Sequence, residues 1–174
     1  VPSAIHILGN LIASLTALPL SAQPRTTLNI GRVGGGSGIN VIASEAWMEL
    51  DLRSESEDAL RRLREQVLGT IKKFQHPWVT IELRSLGERP AGELLATHPL
   101  VRLAKACLQN QGITPILTSG STDANLPLSR GYPAIALGIT RGGAAHTLQE
   151  FIEILPVRQG MAQLFELITR IGSL

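Results

Sequence analysis

Apolar residues recur along this chain in two rhythms, one suited to helices and one to strands. In "SAIHILGNLIASLTALPL", Ile5, Leu8, Ile12 and Leu15 fall on one helical stripe, which predicts a helix over about Ser3 to Leu18. Pro19, Pro24 and small polar residues then predict a loop, and "TTLNIGRV" resumes as a β-prone strand. After "GGGSG" (Gly34 to Gly38), read as a turn, "AWMELDLRS" alternates cleanly. Met48, Leu50 and Leu52 share one face; Trp47, Glu49, Asp51 and Arg53 share the other, as in a sheet with one covered face. "SESEDALRRLREQVLGTIKKF" opens on a serine and acids, closes on lysines, and carries Leu60, Leu63, Val67 and Ile71 as the buried stripe of a helix. "WVTIELRS" predicts another alternating strand, with Val79, Ile81 and Leu83 inward.

Two helices over one face of an antiparallel sheet make an α+β sandwich, and the order of elements is that of a ferredoxin-like split βαβ lacking its first strand. That strand would be central, so its lack predicts a gap in the sheet. The punctuation of "LGERPAGELLATHP" by Gly87, Pro90 and Gly92 marks a domain cut near Arg89 to Leu94. Beyond it, Pro99 opens a helix, "PLVRLAKACLQNQG", that Gly112 stops. The apolar runs "PILTS" and "PAIALGI" read as buried strands of a second sheet. A last helix carries the stripe Met161, Leu164, Leu167, Ile168 and Ile171.

Composition narrows the function classes. At 174 residues with 44% hydrophobic and 17% charged, the chain is globular and long enough for one ordinary domain or two small ones. Aromatics are only 3%, which argues against stacking platforms for single-stranded nucleic acid. Sixteen Lys and Arg against 14 Asp and Glu give +2 without a basic cluster, so neither a nucleic-acid nor a membrane partner is expected. The single cysteine, Cys107, excludes an internal disulfide; it lies in line with Leu100, Leu103 and Ala104, where core packing is its default. "IHILGNLIASLTALPLSAQ" imitates a signal peptide, but His6, Gly9 and Asn10 interrupt it and no basic flank precedes it. An amphipathic helix is preferred. The missing initiator Met fits a chain that begins partway through a larger protein, or a processed form.

Candidate chemistry is sparse. "GGGSG" lacks the Lys-Ser/Thr of a phosphate loop and precedes a strand, leaving a turn that presents Asn40. "GSTDAN" places Gly120, Ser121, Thr122 and Asp123 just past an apolar run, where open α/β sheets bind ligands. Ser121, Asp123 and His146 are nominally a hydrolase triad, but the Gly-x-Ser-x-Gly elbow is absent and Asp123 is too near Ser121 in sequence. A helix N-cap competes for Asp123. Arg89, beside Pro90 at the junction, can hold a carboxylate through two parallel hydrogen bonds or simply be solvated. Asp51 and Arg53 read as a surface pair. His6, His76 and His98 have no partner at ligand spacing. His146, in "RGGAAHTLQE", is by itself a lone histidine, and Glu150 reads as a helix-start carboxylate.

Taken in order, "TTLNIGRVGGGSGINVIASEAWMELDLRS", Arg89-Pro90, "GSTDAN", "GYPAIALGI" and "HTLQE" resemble the aminoacylase, acetylornithine deacetylase, glutamate carboxypeptidase and peptidase-T-like family of two-zinc hydrolases. The peptidase-T-like and carboxypeptidase branch is the nearest in flavour. The resemblance spans nearly the whole chain but only the C-terminal part of the family's length. It implies an α+β fold: a ferredoxin-like lid or dimerisation domain over residues 1–90 lacking its first strand, then the C-terminal α/β part of the zinc-binding catalytic domain over 91–174. By that resemblance His146 matches the last zinc-ligand histidine and Arg89 the grip on the substrate carboxylate. Asn40 matches the lid asparagine that contacts substrate, and Gly120, Ser121, Thr122 and Asp123 match a loop lining the pocket. Ala43 departs from the family's proline near the asparagine.

The same resemblance implies a cytoplasmic homodimer joined through the lid, two zinc ions, and a peptide or N-acyl amino acid substrate bearing a carboxylate. The family's His-x-Asp pair, bridging Asp, ligand Glu and general-base Glu lie upstream of the matched region, so the chain alone is expected to be inactive. Two other classes stay open: a non-catalytic dimerisation or binding module, and a metal-free serine hydrolase acting through Ser121.

Overall fold

The computed structural model describes residues 2–172, and the chain divides into two compact units, Val1–Leu86 and Gly87–Leu174. The fold is mixed α+β with small antiparallel sheets.

The first unit runs α1 (Ala4–Thr16), β1 (Thr26–Gly35), β2 (Ala46–Ser54) and α2 (Glu57–Lys72). β1 and β2 form an antiparallel hairpin from Thr26↔Ser54 to Gly35↔Ala46, with a bulge between Ile30 and Arg32. The expected turn therefore begins later, since Gly34 and Gly35 still pair with Trp47 and Ala46. Gly35 needs its freedom: its φ is +148°, and a Cβ there would press on Ala46.

α2 starts where the sequence indicates, because the Ser56 side chain accepts from the Ala59 N–H at 3.4 Å and Glu57 and Asp58 occupy the first turn. Both helices cover one face of the hairpin. Leu11 and Leu15 of α1 and Leu63, Val67 and Ile71 of α2 form the core, against which Leu28, Ile30, Met48, Leu50 and Leu52 pack. The buried ridge of α1 is thus Leu11 and Leu15 rather than the expected Ile5, Leu8, Ile12 and Leu15, with Ile5 exposed. A helix has several near-equivalent apolar stripes, and the one that wins faces the partner layer.

Residues 79–83, expected as a strand, join no ladder beyond the isolated bridge His76↔Val79. Ile81 still packs against the core while Leu83 is exposed. Alternation makes a strand only where a neighbouring backbone satisfies its edge. None does here among the described residues.

The second unit contains α3 (Pro99–Asn110), the short α4 (Asn125–Ser129), β3 (Gly142–Gly143), β4 (Phe151–Ile152) and α5 (Val157–Ile171). Pro99 sits at the start of α3, the His98 imidazole accepts the Leu100 N–H at 3.1 Å, and Gly112 follows at φ +73°. α3 packs on α5 through Leu100, Leu103, Ala104, Cys107 and Leu167, with Leu94, Ile135 and Leu137 laid against them. Cys107 is fully buried, as core packing predicts.

Two expectations fail here. "PILTS" and "PAIALGI" form no strands, and Ile116 and Leu117 are exposed; the second unit's ladder is the short β3–β4 pair. The buried ridge of α5 is Gly160, Gln163 and Leu167, while Ile168 and Ile171 face outward. Gly160 sets that rotation, because a Cβ on it would strike the Ile139 carbonyl.

Candidate functional site

The residues singled out in the sequence fall on loops of both units. In the first, Asn40 lies in an exposed turn closed by the Val41 N–H to the Gly38 carbonyl at 3.2 Å. The loop is tied back at Ala43, whose carbonyl accepts the Ala4 N–H at 2.9 Å and whose side chain is buried. Asp51 and Arg53 form the expected surface pair. Opposite them in kind, Arg32 bonds Glu49 at 2.9 Å and stands 5.4 Å from the centre of the Trp47 ring.

In the second unit the structure brings Arg89 to Asp123, with 3.6 Å between Nη2 and Oδ1. The expected cap role of Asp123 does not hold, because Ala124 occupies the cap position of α4 and no side chain caps it. What holds the loop is Asn125, the amide of "GSTDAN", to which the sequence assigned no role of its own. Its Oδ1 accepts the Thr122 N–H at 2.8 Å and its Nδ2 donates to the Pro90 carbonyl at 3.2 Å. One amide thus staples "GSTD" to the Arg89-Pro90 segment. Gly92 completes the approach, since a Cβ there would collide with Leu128. Thr122 Oγ1 accepts the Ala124 N–H at 3.2 Å, so its hydroxyl is structural. Around Gly120 the backbone is open, and a Cβ there would meet only the Thr122 methyl, at 4.0 Å.

His146 stands in a loop between β3 and β4, exposed, with φ +65°; Ala144 is also left-handed at +53°. Two non-glycine residues in that region within three positions cost about 1–2 kcal/mol each, and such conformations gather at functional sites. Glu150 sustains the turn by accepting the His146 N–H at 3.2 Å, not by starting a helix, since α5 begins at Val157. No hydrogen bond joins Ser121 or Asp123 to His146, so the nominal triad is not assembled. Among the described residues no three His, Cys, Asp or Glu side chains stand close enough to hold a metal ion.

Residues 1–79 match the sequence model of the M20 peptidase dimerisation domain. Over those residues the chain is similar to the peptidase dimerisation domain. A tripeptidase from Staphylococcus aureus has a similar structure, with TM-score 0.65 and 24% identity over 99% of this chain and 46% of the tripeptidase chain. Aminopeptidase PepT from Bacillus cereus matches with TM-score 0.60 and 22% identity over 98% of this chain and 46% of its own. At that identity the likeness shows the fold. The chain spans about half the length of these solved peptidases. No curated protein matches it.

Proposed function

We propose that the chain is the dimerisation domain (1–90) and C-terminal catalytic segment (91–174) of a cytoplasmic, zinc-dependent peptidase or amidohydrolase that acts on a carboxylate-bearing peptide or N-acyl amino acid. The observation that carries this reading is the peptidase dimerisation domain match over residues 1–79, supported by likeness to two peptidases along nearly the whole chain. No helix of the described residues is long and apolar enough to cross a membrane.

The residues at hand do not by themselves fit a two-zinc centre. His146 offers one imidazole, and two ions need several fixed ligands and a base. No hydrolytic step is therefore derived through zinc, and the chain alone is proposed to be inactive. Its own residues bind and position. Arg89 is the carboxylate grip, and Asp123, itself exposed, holds the guanidinium pointed toward the "GSTD" loop until a substrate carboxylate displaces it. In solvent that ion pair is worth about 0–1 kcal/mol, so displacement is cheap. Asn40 is the proposed contact from the dimerisation domain. His146 is held by its strained turn with the imidazole free of backbone duty, ready to ligate.

The test is a peptidase assay with tripeptides and N-acyl amino acids, with and without added zinc, on this chain and on a longer form carrying the upstream ligands. Turnover is expected only from the longer form, and His146→Ala should abolish it. Turnover by the 174-residue chain that survives His146→Ala but vanishes in Ser121→Ala would replace this reading with a serine hydrolase. A second reading is a non-catalytic dimerisation module, carried by the same match over residues 1–79; an inactive longer form that still dimerises would establish it.

A further inference from the structure

The first unit holds a cavity that none of the roles above uses. It lies between the connection 19–26 and α2, with a volume of about 150 Å³. Pro19, Leu20, Pro24 and Leu63 make its apolar lining, and Arg62 and Gln66 make its polar one. At about 30 Å³ per water molecule, that is room for roughly five water-sized groups.

Both walls are fixed before any ligand arrives. The connection closes on itself through the Thr26 N–H to the Ser21 carbonyl at 3.0 Å and Ser21 Oγ to the Gln23 carbonyl at 2.8 Å. Thr26 Oγ1 donates to the Pro24 carbonyl at 3.0 Å, and the Arg25 N–H bonds the Glu55 carboxylate at 3.1 Å, just ahead of α2. The opposite wall is α2 itself, whose Leu63 is buried in the core. Preformed walls spare the ordering cost that a small ligand cannot offset.

The polar lining is selective. On α2, Arg61 is engaged by Asp58 at 2.8 Å and Glu65 at 3.7 Å. Arg62 beside it forms no ion pair and donates no hydrogen bond among the described residues, although its charge reaches Asp58 through space. Gln66 follows four residues on along the same helical face, and its amide adds two donors. One guanidinium and one amide suit a single carboxylate, which takes two parallel hydrogen bonds from the fork. A phosphate calls for more cations and gains nothing from prolines and leucines.

We propose that this cavity binds a short apolar carboxylate of about four to six carbons. Arg62 and Gln66 take the head, and Pro19, Leu20, Pro24 and Leu63 cover the tail. The site goes beyond the peptidase reading and is independent of it, since it uses no residue of the candidate site.

Amide chemical shifts of the 174-residue chain, followed by NMR as isovalerate is added, test it. Leu20, Ser21, Leu63 and Gln66 should shift and saturate with a Kd of about 1–10 mM, and isovaleramide, similar in shape but uncharged, should bind about tenfold more weakly. Arg62→Gln should weaken isovalerate about tenfold and leave the rest of the spectrum in place, because Arg62 is exposed. Arg62→Lys, which keeps the charge but not the fork, should fall between. No shift of these amides at about ten times that Kd would overturn the proposal. So would isovaleramide bound as well as isovalerate, which would leave only an apolar crease. Inorganic phosphate bound as tightly as isovalerate would reduce the site to a general anion contact and overturn it too, as would binding unchanged in Arg62→Gln.

Discussion

At the scale of single residues, side chains that anchor helices are better defined than those expected to do chemistry. Glu166 on α5 accepts from Asn110 of α3 at 2.6 Å and from Arg170 at 2.8 Å. The Asn110 hydrogen bond, reinforced by Arg170 against the opposing effect of burial, holds the Glu166 carboxyl below its usual 4.5. A carboxyl whose pKa is lower folded than unfolded contributes stability above the unfolded value and loses it as pH falls through the folded one. The second unit should therefore weaken in acid from about pH 4.5 downward. Glu166→Gln should be less stable than the native chain near neutrality and converge with it in acid, in urea midpoints measured across that range. A constant difference at every pH would show that the charge plays no part. Beside it, burial pushes the Cys107 thiol up, consistent with a packing residue and not a nucleophile.

At the scale of elements, burial separates helices that are fixed from runs that are not. Leu15 is 1% exposed in the core shared by α1, α2 and the hairpin, whereas Leu83 is 59% exposed. Leu15→Ala should cost about 2–5 kcal/mol. Leu83→Ala should change stability by no more than about 0.5 kcal/mol. Thermal or urea denaturation measures both, and a comparable loss at Leu83 would mean that residues 79–83 do form a packed strand. The same contrast explains what the sequence made legible. The 46–54 alternation, the Pro99 start and the helical stripe that carries Cys107 are patterns written in neighbours a few positions away, and each is found where expected. The strands expected at 79–83, 114–118 and 133–139 would need a neighbouring backbone to pair with, and that need is invisible in their own alternation. The candidate site divides likewise. Arg89 and "GSTDAN" stood out by residue type, but the cross-loop bonds of Asn125 depend on where Pro90 lies, and Glu150, which shapes the His146 turn, looked like an ordinary helix-start residue.

At the scale of the molecule, the peptidase dimerisation domain gives the first unit an expected partner, a second copy of itself. Among the described residues the hairpin is only two strands wide, so the outer edge of β1 and that of β2 are both open. Open edges are templates for pairing unless charge or bulges blunt them. β1 is bent by its bulge at Ile30/Arg32 and carries exposed Val33 beyond it, while Glu49 neutralises Arg32. Little charge is left over on that side to repel a second sheet. Sedimentation equilibrium should therefore show a species of twice the 18.7 kDa chain mass. Val33→Lys, which sets a like charge at the edge of each copy, should weaken the association about tenfold without unfolding the hairpin, because Val33 already faces solvent. A single species of one chain mass at high concentration would remove self-association from the first unit. Dimer strength unchanged by Val33→Lys would move the contact to another edge, leaving β2 as the strand that pairs.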